Sequence, residues 1–155
     1  MIDAVTRAPL RLALGGLHRL LKAVWFVRRP RTFGAHAVAI TPRSTIVLVR
    51  LRYAPGWRVP GGGRKEKEDA QEAVLRELRE EIGMTSHGRV QLACELQETP
   101  DFKRDTASLF IVRDVEFSPR WSWEVEAVTE APLDKLPADL SARTARWIAA
   151  VRPLL

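Results

Sequence analysis

One segment of this 155-residue chain constrains its fold more than any other, because residue chemistry defines both of its ends. Asp69 is a residue type that caps helix N-termini, and Glu72 stands three positions later, as in a capping box. Gly83 occupies the position at which helices commonly end in left-handed backbone. The apolar residues between these ends recur at helical spacing and are Val74, Leu75, Leu78 and Ile82. The pattern predicts an amphipathic helix over residues 70–82 that packs its apolar stripe against another layer.

Short apolar runs elsewhere in the chain predict β-strands. These runs span residues 35–40, 46–50, 57–59, 90–97, 107–117 and about 124–128. A second helix is predicted at about 141–151, where apolar residues again recur at helical spacing. Because strands and helices do not alternate regularly, the order predicts an α+β domain built in layers. A chain of this length forms one such domain.

The positive charge of the chain is concentrated at its N-terminus. Residues 1–32 contain seven of the 25 basic residues but only one of the 19 acidic residues, so the remaining chain is neutral. This balance argues against nucleic acid as a partner of the domain. Leucines at helical spacing between about Pro9 and Val27, opposite the basic side chains, predict an amphipathic N-terminal helix. The sequence is therefore divided into this helix with its connection, 1–32, and a domain over 33–155.

Two roles stay open for the N-terminal helix. It either packs on its own domain or on a partner subunit, which would form a homodimer, or its basic face contacts anionic lipid at a membrane surface. The chain has a single cysteine, Cys94, which cannot form an internal disulfide. This cysteine usage is typical of a reducing compartment, so a cytoplasmic location is expected.

Three glutamates share one face of the helix predicted at 70–82. Glu77, Glu80 and Glu81 stand at positions i, i+3 and i+4, so their carboxylates lie close together. Three like charges repel one another, and hard divalent cations such as Mg²⁺ are held by such carboxylate oxygens. The alternative is an ordinary solvated helix face in which Arg76 and Arg79 are the local partners of these glutamates.

The segment before this helix is rich in glycine. Pro60 is followed by Gly61, Gly62 and Gly63, which allow tight turns and close approach by backbone or by a ligand. This segment is predicted to be a loop that leads from a strand towards the helix. Glu68, just before the helix cap, can fold back towards the acidic helix face.

The stretch from Gly62 to Met84 resembles the Nudix box, G-x5-E-x7-R-E-U-x-E-E-x-G-U, in which U is a bulky apolar residue. The matching positions are Gly62, Glu68, Arg76, Glu77, Leu78, Glu80, Glu81, Gly83 and Met84. Only Met84 departs mildly from the pattern, because it is unbranched. The resemblance implies the Nudix α/β/α sandwich with a mixed sheet. It also implies hydrolysis of a phosphoanhydride bond in a nucleoside-diphosphate-linked substrate, with Mg²⁺ as cofactor and Mn²⁺ as a possible substitute.

The resemblance also implies roles for individual residues. Metal ligation is expected from four glutamates of the box: Glu68, Glu77, Glu80 and Glu81. Arg76 is expected to orient these carboxylates through charge-assisted hydrogen bonds and is counted with Glu77, Glu80 and Glu81 as catalytic. Glu124 is the candidate for an additional metal ligand from a later segment. The general base stays open between Glu80, Glu81 and such a later carboxylate.

Substrate contacts are predicted from cationic side chains and from the glycine segment. The candidates are Arg52, Arg58, Gly61, Gly62 and Gly63, because guanidinium groups pair with phosphate oxygens and glycines allow close approach. The alternative function is a Nudix-fold module that binds a nucleotide without turnover. Such modules often lack one or more glutamates of the box, whereas this chain keeps all four.

Overall fold

The computed structural model describes residues 31–100 and 103–155, together with Val24. The amphipathic helix predicted between Pro9 and Val27 lies outside the described residues, apart from Val24. Within the described part, neither helix has the length and apolar character that a membrane crossing requires.

The described chain contains nine strands and two α-helices, followed by a short 3₁₀ turn. In chain order they are β1 Arg31–Ala39, β2 Thr45–Leu51, β3 Ala54–Arg58, β4 Gly61–Arg64, α1 Ala70–Glu81, β5 Met84–Ser86, β6 Val90–Glu98, β7 Arg104–Val112, β8 Glu116–Phe117, β9 Val125–Pro132, α2 Ala142–Val151 and the turn Arg152–Leu154.

The strands form a four-stranded sheet in the order β4-β1-β7-β6, a three-stranded sheet in the order β3-β2-β9 and the small pair β5-β8. The larger sheet is mixed, because β1 runs parallel to β7 and antiparallel to β4. In this register Ala35 lies between Gly62 of β4 and Ser108 of β7. The prediction of an α+β fold with a mixed sheet is confirmed.

Both faces of the larger sheet are covered, because alternate side chains of β1 belong to two different hydrophobic cores. Ala35, Ala37 and Ala39 belong to the core that contains the apolar stripe of α1. Val38 belongs to the opposite core, which contains Trp147 of α2. A fully buried aliphatic side chain contributes about 1.5–3 kcal/mol to folding. The strands therefore lie between two helices, as an α/β/α sandwich requires.

Helix α1 begins and ends through the capping residues that the sequence predicts. The Asp69 carboxylate accepts a hydrogen bond from the Glu72 amide at 2.9 Å. At the other end the Ile82 amide donates to Leu78, and Gly83 follows with φ 68°. A Cβ on Gly83 would lie 2.0 Å from the Ser118 carbonyl oxygen, so only glycine fits there.

The fold differs from the sequence prediction in several places. Gly61–Arg64 is not a loop but strand β4, because its backbone pairs with β1 and glycines carry no side-chain alternation that would indicate a strand. The run predicted as one strand at 107–117 is interrupted where Asp114 adopts left-handed backbone with φ 55°. The end of this run forms β8, which pairs with β5. Strand β5 was not predicted. Strand β9 extends further than expected, to Pro132.

Candidate functional site

Helix α1, strand β4 and the segment before β9 enclose a cavity of about 640 Å³, here called the acidic cavity. It is lined by Tyr53, Gly61, Gly62, Gly63, Glu77, Glu80, Glu81, Trp121, Ser122, Trp123 and Glu124. The structure thus places three glutamates of α1 together with Glu124, although more than 40 residues separate them in sequence. The predicted substrate-contacting glycines form the neighbouring wall.

Glu81 is the most buried carboxylate of this cavity, with 7% of the residue exposed. The Gly61 amide donates a hydrogen bond to Glu81 Oε2 at 2.8 Å. Burial raises the pKa of Glu81 to about 8, since the Gly61 hydrogen bond only partly offsets the loss of water. Repulsion from Glu77 and Glu124 raises this pKa further. The carboxyl group is therefore held in place before any ligand arrives, and its ionised form is disfavoured until a cation is near.

Glu77 is fixed between an arginine and a glycine. Arg76 Nη1 donates to Glu77 Oε1 at 2.7 Å. Burial nevertheless raises the pKa of Glu77, and the contact with Arg76 acts in the opposite direction. A Cβ on Gly62 would lie 2.8 Å from both oxygens of this carboxylate. Gly62 therefore leaves the space that the Glu77 carboxylate occupies.

Arg76 contacts further predicted ligands besides Glu77. Its Nη2 lies 3.4 Å from Glu68 Oε1 and donates to the Gly63 carbonyl at 3.3 Å, while Nη1 lies 3.5 Å from Glu80 Oε2. Glu68 thus folds back towards α1, but it lies beside Arg76 and is not part of the lining given for the acidic cavity. The Lys65 amide, which donates to the Glu68 carboxylate, lowers the pKa of Glu68, and Arg76 adds to this effect.

The donor chemistry of the acidic cavity fits a hard divalent cation, because carboxylate oxygens line one wall and repulsion from neighbouring carboxylates raises the pKa of Glu77 and Glu81. Among residues 31–100 and 103–155, no three carboxylate, histidine or cysteine side chains converge closely enough to hold an ion as they stand. Glu77 is engaged by Arg76, and the Glu80 side chain is 60% exposed. Ion binding at this wall would therefore need these two side chains to turn towards Glu81.

A second cavity of about 500 Å³ lies between β4 and α2 and is called here the α2 cavity. It shares Tyr53, Gly61–Gly63 and Glu81 with the acidic cavity. Its remaining lining includes aromatic and charged side chains: Phe33, His36, Arg58, Lys103, Asp105, Arg143 and Trp147. The predicted contact residue Arg58 therefore lines a cavity that adjoins the acidic wall.

The sequence analysis missed three ionisable residues of the α2 cavity, which are His36, Asp105 and Arg143. Asp105 accepts hydrogen bonds from Thr32 at 2.7 Å and from Arg143 at 2.5 Å. Burial lowers the pKa of His36 to about 4, and the charge of Arg143 acts in the same direction. These residues come from β1, β7 and α2, so no local spacing could have indicated that they meet.

The structure places the other predicted contact, Arg52, differently. Arg52 is exposed in the turn between β2 and β3 and belongs to neither of the two linings. Its amide donates to the Glu124 carbonyl at 2.9 Å. Arg52 therefore supports the backbone of the acidic cavity, while its guanidinium lies at the surface.

Two tryptophans at the rim of the acidic cavity also escaped the sequence analysis. Trp121 and Trp123 are 69% and 81% exposed. The signal that could have identified them is a Trp-Ser-Trp sequence in a segment without apolar periodicity. Large aromatic side chains in such a segment lack core partners and often mark a binding surface.

Comparisons with known proteins agree on one family. A family model described as the NUDIX domain matches residues 30–151. The fold is similar to the MutT NUDIX hydrolase from Burkholderia pseudomallei, with a TM-score of 0.67 and 26% identity over 78% of this chain and 98% of that one. It also resembles the NUDIX domain of Shewanella oneidensis NrtR complexed with ADP ribose, with a TM-score of 0.65 over 80% of this chain and 88% of that one. At 18% identity this second likeness concerns the fold alone.

Two curated relatives match shorter stretches. An RNA pyrophosphohydrolase of Acidiphilium cryptum (strain JF-5) is 42% identical over 91 residues, which is 54% of each chain. A Bacillus subtilis (strain 168) protein, provisionally named an 8-oxo-dGTP diphosphatase, is 38% identical over 52 residues, or 34% of this chain and 35% of that protein. The chain thus spans about a third and about half of the length of these relatives. Because the NUDIX-domain match covers most of the sequence and includes the whole motif at 62–84, the chain belongs to the NUDIX family.

Proposed function

We propose that the protein is a divalent-metal-dependent pyrophosphohydrolase that cleaves a phosphoanhydride bond in a nucleoside-diphosphate-linked substrate. The observation that carries this proposal is the acidic cavity, in which three glutamates of α1 and Glu124 face the glycines of β4. The names of the two curated relatives, an RNA pyrophosphohydrolase and a protein provisionally named as a nucleotide diphosphatase, support the same reaction class.

The residues proposed to hold Mg²⁺, or Mn²⁺ in its place, are Glu77, Glu80, Glu81 and Glu124, with Glu68 as a further ligand. A bound divalent ion supplies charge neutralisation on phosphate oxygens and lowers the pKa of a coordinated water. Gly61 holds the Glu81 carboxylate through its amide, and Arg76 links Glu68, Glu77 and Glu80. Such supporting contacts fix the orientation of ligands and are needed for full activity.

The substrate is proposed to lie across β4, with its phosphates over the glycines and its nucleoside in the α2 cavity. At about 500 Å³ this cavity has the size of ordinary small-molecule sites. Arg58 is proposed to contact phosphate, because its buried Nε has no hydrogen-bond partner among the described residues. His36 has a lowered pKa, so it presents an uncharged imidazole with one donor and one acceptor. Arg52 stays a weaker candidate contact, since it lies outside both linings.

The second candidate function is nucleotide binding without turnover. It is favoured by the arrangement of the carboxylates, which do not converge on an ion among the described residues. Turnover separates the two candidates. Nucleoside triphosphates, ADP-ribose, dinucleoside polyphosphates and nucleotide sugars would be assayed with Mg²⁺, with Mn²⁺ and with EDTA. A hydrolase cleaves at least one of them only when metal is present.

Substitutions in α1 test the metal ligands directly. Glu80→Gln and Glu81→Gln should each lower turnover of the substrate found in that panel by roughly 100-fold or more, because each removes a negative oxygen at the metal. Glu72→Gln is the matched control, since Glu72 lies on the same helix, is exposed and does not line the cavity. Turnover at the unmodified rate in both Glu80→Gln and Glu81→Gln would refute the assignment.

The cytoplasmic location, the homodimer and the membrane contact of the N-terminal helix stay predictions. Deleting residues 1–27 tests the last two. Unchanged activity together with lost pelleting on anionic vesicles would identify the helix as a membrane-contacting segment. Conversion of a dimer to a monomer, measured by light scattering, would identify it as part of an interface.

A further inference from the structure

The segment before β9 presents two indoles to solvent. Trp121 and Trp123 are 69% and 81% exposed, and their ring centroids lie 4.6 Å apart at an interplanar angle of 75°. Most large aromatic side chains are buried well in folded domains, because their burial is strongly favourable. Two adjacent exposed tryptophans that contact each other therefore indicate a ligand that covers them.

Hydrogen bonds fix the backbone that carries these indoles. The Ser122 hydroxyl accepts from the amides of Glu124 and Val125, both at 3.2 Å. Val125 is buried at the start of β9, which pairs with β2. The Glu124 carbonyl also accepts from Arg52. The two rings thus stand on a backbone that is ordered before a ligand binds, which reduces the entropy lost on binding.

The two indoles belong to only one of the two cavities. Both indoles line the acidic cavity, and neither belongs to the lining of the α2 cavity. The two cavities meet at Gly61–Gly63 and at Tyr53, which is itself 71% exposed. A ligand with one ring in the α2 cavity and phosphates over the glycines would bring whatever lies beyond those phosphates to Trp121 and Trp123.

We propose that Trp121 and Trp123 form a stacking surface for a second nucleobase, so that the preferred substrate carries a base at each end of its phosphate chain. This inference rests on the proposed function and names its substrate class. Every nucleobase has a π-face that stacks on aromatic side chains, and this contact tolerates any base. Neither Trp121 nor Trp123 carries a charge, so this rim favours a flat uncharged ring over a terminal phosphate.

Kinetics on two substrates test this proposal. Diadenosine tetraphosphate carries two bases, and ATP carries one at the end of a similar phosphate chain. Trp121→Ala and Trp123→Ala should each raise KM for diadenosine tetraphosphate roughly tenfold, as expected for the loss of one base–aromatic stack. The KM for ATP should change less than about twofold, and Trp123→Phe should keep most of the affinity because it keeps a ring. Leu92→Ala removes an exposed apolar side chain from β6 outside the cavities and should change neither constant.

A binding experiment that does not depend on turnover tests the stacking proposal separately from the hydrolase assignment. The chain has five tryptophans, so a nitrogen-edited spectrum resolves five indole N–H signals, which Trp121→Phe and Trp123→Phe assign. Titration with diadenosine tetraphosphate should shift the signals of Trp121 and Trp123, whether or not the ligand is cleaved. Unshifted signals, equal KM changes for both substrates, or a change of oligomeric state in the alanine variants would overturn the proposal. Shifted signals without hydrolysis of any substrate would overturn the hydrolase assignment alone.

Discussion

The three consecutive glycines of β4 give three different predictions when each is replaced by alanine. At Gly62 an added Cβ would lie 2.8 Å from the Glu77 carboxylate, about 0.6 Å inside an ordinary contact of 3.4 Å. The clashing group is the end of a flexible side chain, so it can move. We expect a loss of unfolding free energy of only about 1 kcal/mol. Because a misplacement of about 1 Å at a catalytic site can lower turnover by roughly 100-fold, we expect Gly62→Ala to lower turnover by roughly 10- to 100-fold.

At Gly61 the obstacle is backbone. A Cβ there would lie 2.4 Å from the Ala35 carbonyl oxygen and 2.5 Å from the His36 Cα, and Gly61 has φ 138°. Backbone strain of about 1–3 kcal/mol and overpacking of about 1–3 kcal/mol add together. We expect Gly61→Ala to lower the unfolding free energy by about 4 kcal/mol.

Gly63 is the matched control, because the nearest atom to an added Cβ is the Phe33 carbonyl oxygen at 4.0 Å. Gly63→Ala should stabilise the fold by up to about 1 kcal/mol, since alanine loses less conformational entropy than glycine on folding. Urea unfolding and kcat/KM on the same substrate would be measured for all three variants. Full activity in Gly62→Ala, or unfolding of Gly62→Ala as severe as that of Gly61→Ala, would refute the geometry of this wall.

Three further predictions concern the cap, the arginine and the pH response. Asp69→Ala should lower the unfolding free energy by about 1 kcal/mol in urea titrations, because the Glu72 amide loses its acceptor. Arg76→Lys should lower kcat roughly tenfold or more in steady-state assays, since an ammonium cannot reach Glu68, Glu77 and the Gly63 carbonyl together. The unfolded chain protonates His36 near pH 6.5, but the folded chain does so only near pH 4. Unfolding free energy should therefore fall by up to about 3 kcal/mol as pH decreases from 6.5 to 4.

Each of these predictions has its own check. Glu66→Gln, an exposed change just before the helix, should leave stability unaltered where Asp69→Ala lowers it. An Arg76→Lys variant with unaltered kcat would show that Arg76 merely pairs with solvent-exposed charge. Comparison of pH titrations with His36→Gln isolates the histidine, because that variant should lose the part of the pH response between 6.5 and 4. If the unfolding free energy of His36→Gln still falls between pH 6.5 and 4, other groups cause the pH dependence.

The sequence predicts those parts of the site that a single helix creates. Helical periodicity places Glu77, Glu80 and Glu81 on one face, and local capping fixes where that helix begins and ends. The structure shows both features at the predicted positions. Family membership, read from the motif at 62–84, is confirmed by the match over residues 30–151.

The α2 cavity could not be predicted in the same way, because it depends on strand pairing over long separations. His36 comes near Asp105 and Arg143 only when β1 pairs in parallel with β7 and α2 packs beside them. No period along the chain encodes this proximity. Strand β4 was missed for a related reason, since its pairing with β1 is made by backbone groups, and three glycines give no signal of alternation.

The pairing of β4 with β1 has a consequence for how the site can respond to a ligand. Four residue pairs, from Phe33 with Arg64 to His36 with Gly61, join the glycines to the middle of the sheet. Opening this wall would break the backbone pairing of β4, an edge strand, with β1, so the β4 amides that take part in this pairing should exchange with deuterium more slowly than the amides of exposed turns. We therefore expect the backbone of Gly61–Gly63 to keep its position when a ligand binds. Adaptation to different ligands would then come from the surrounding side chains.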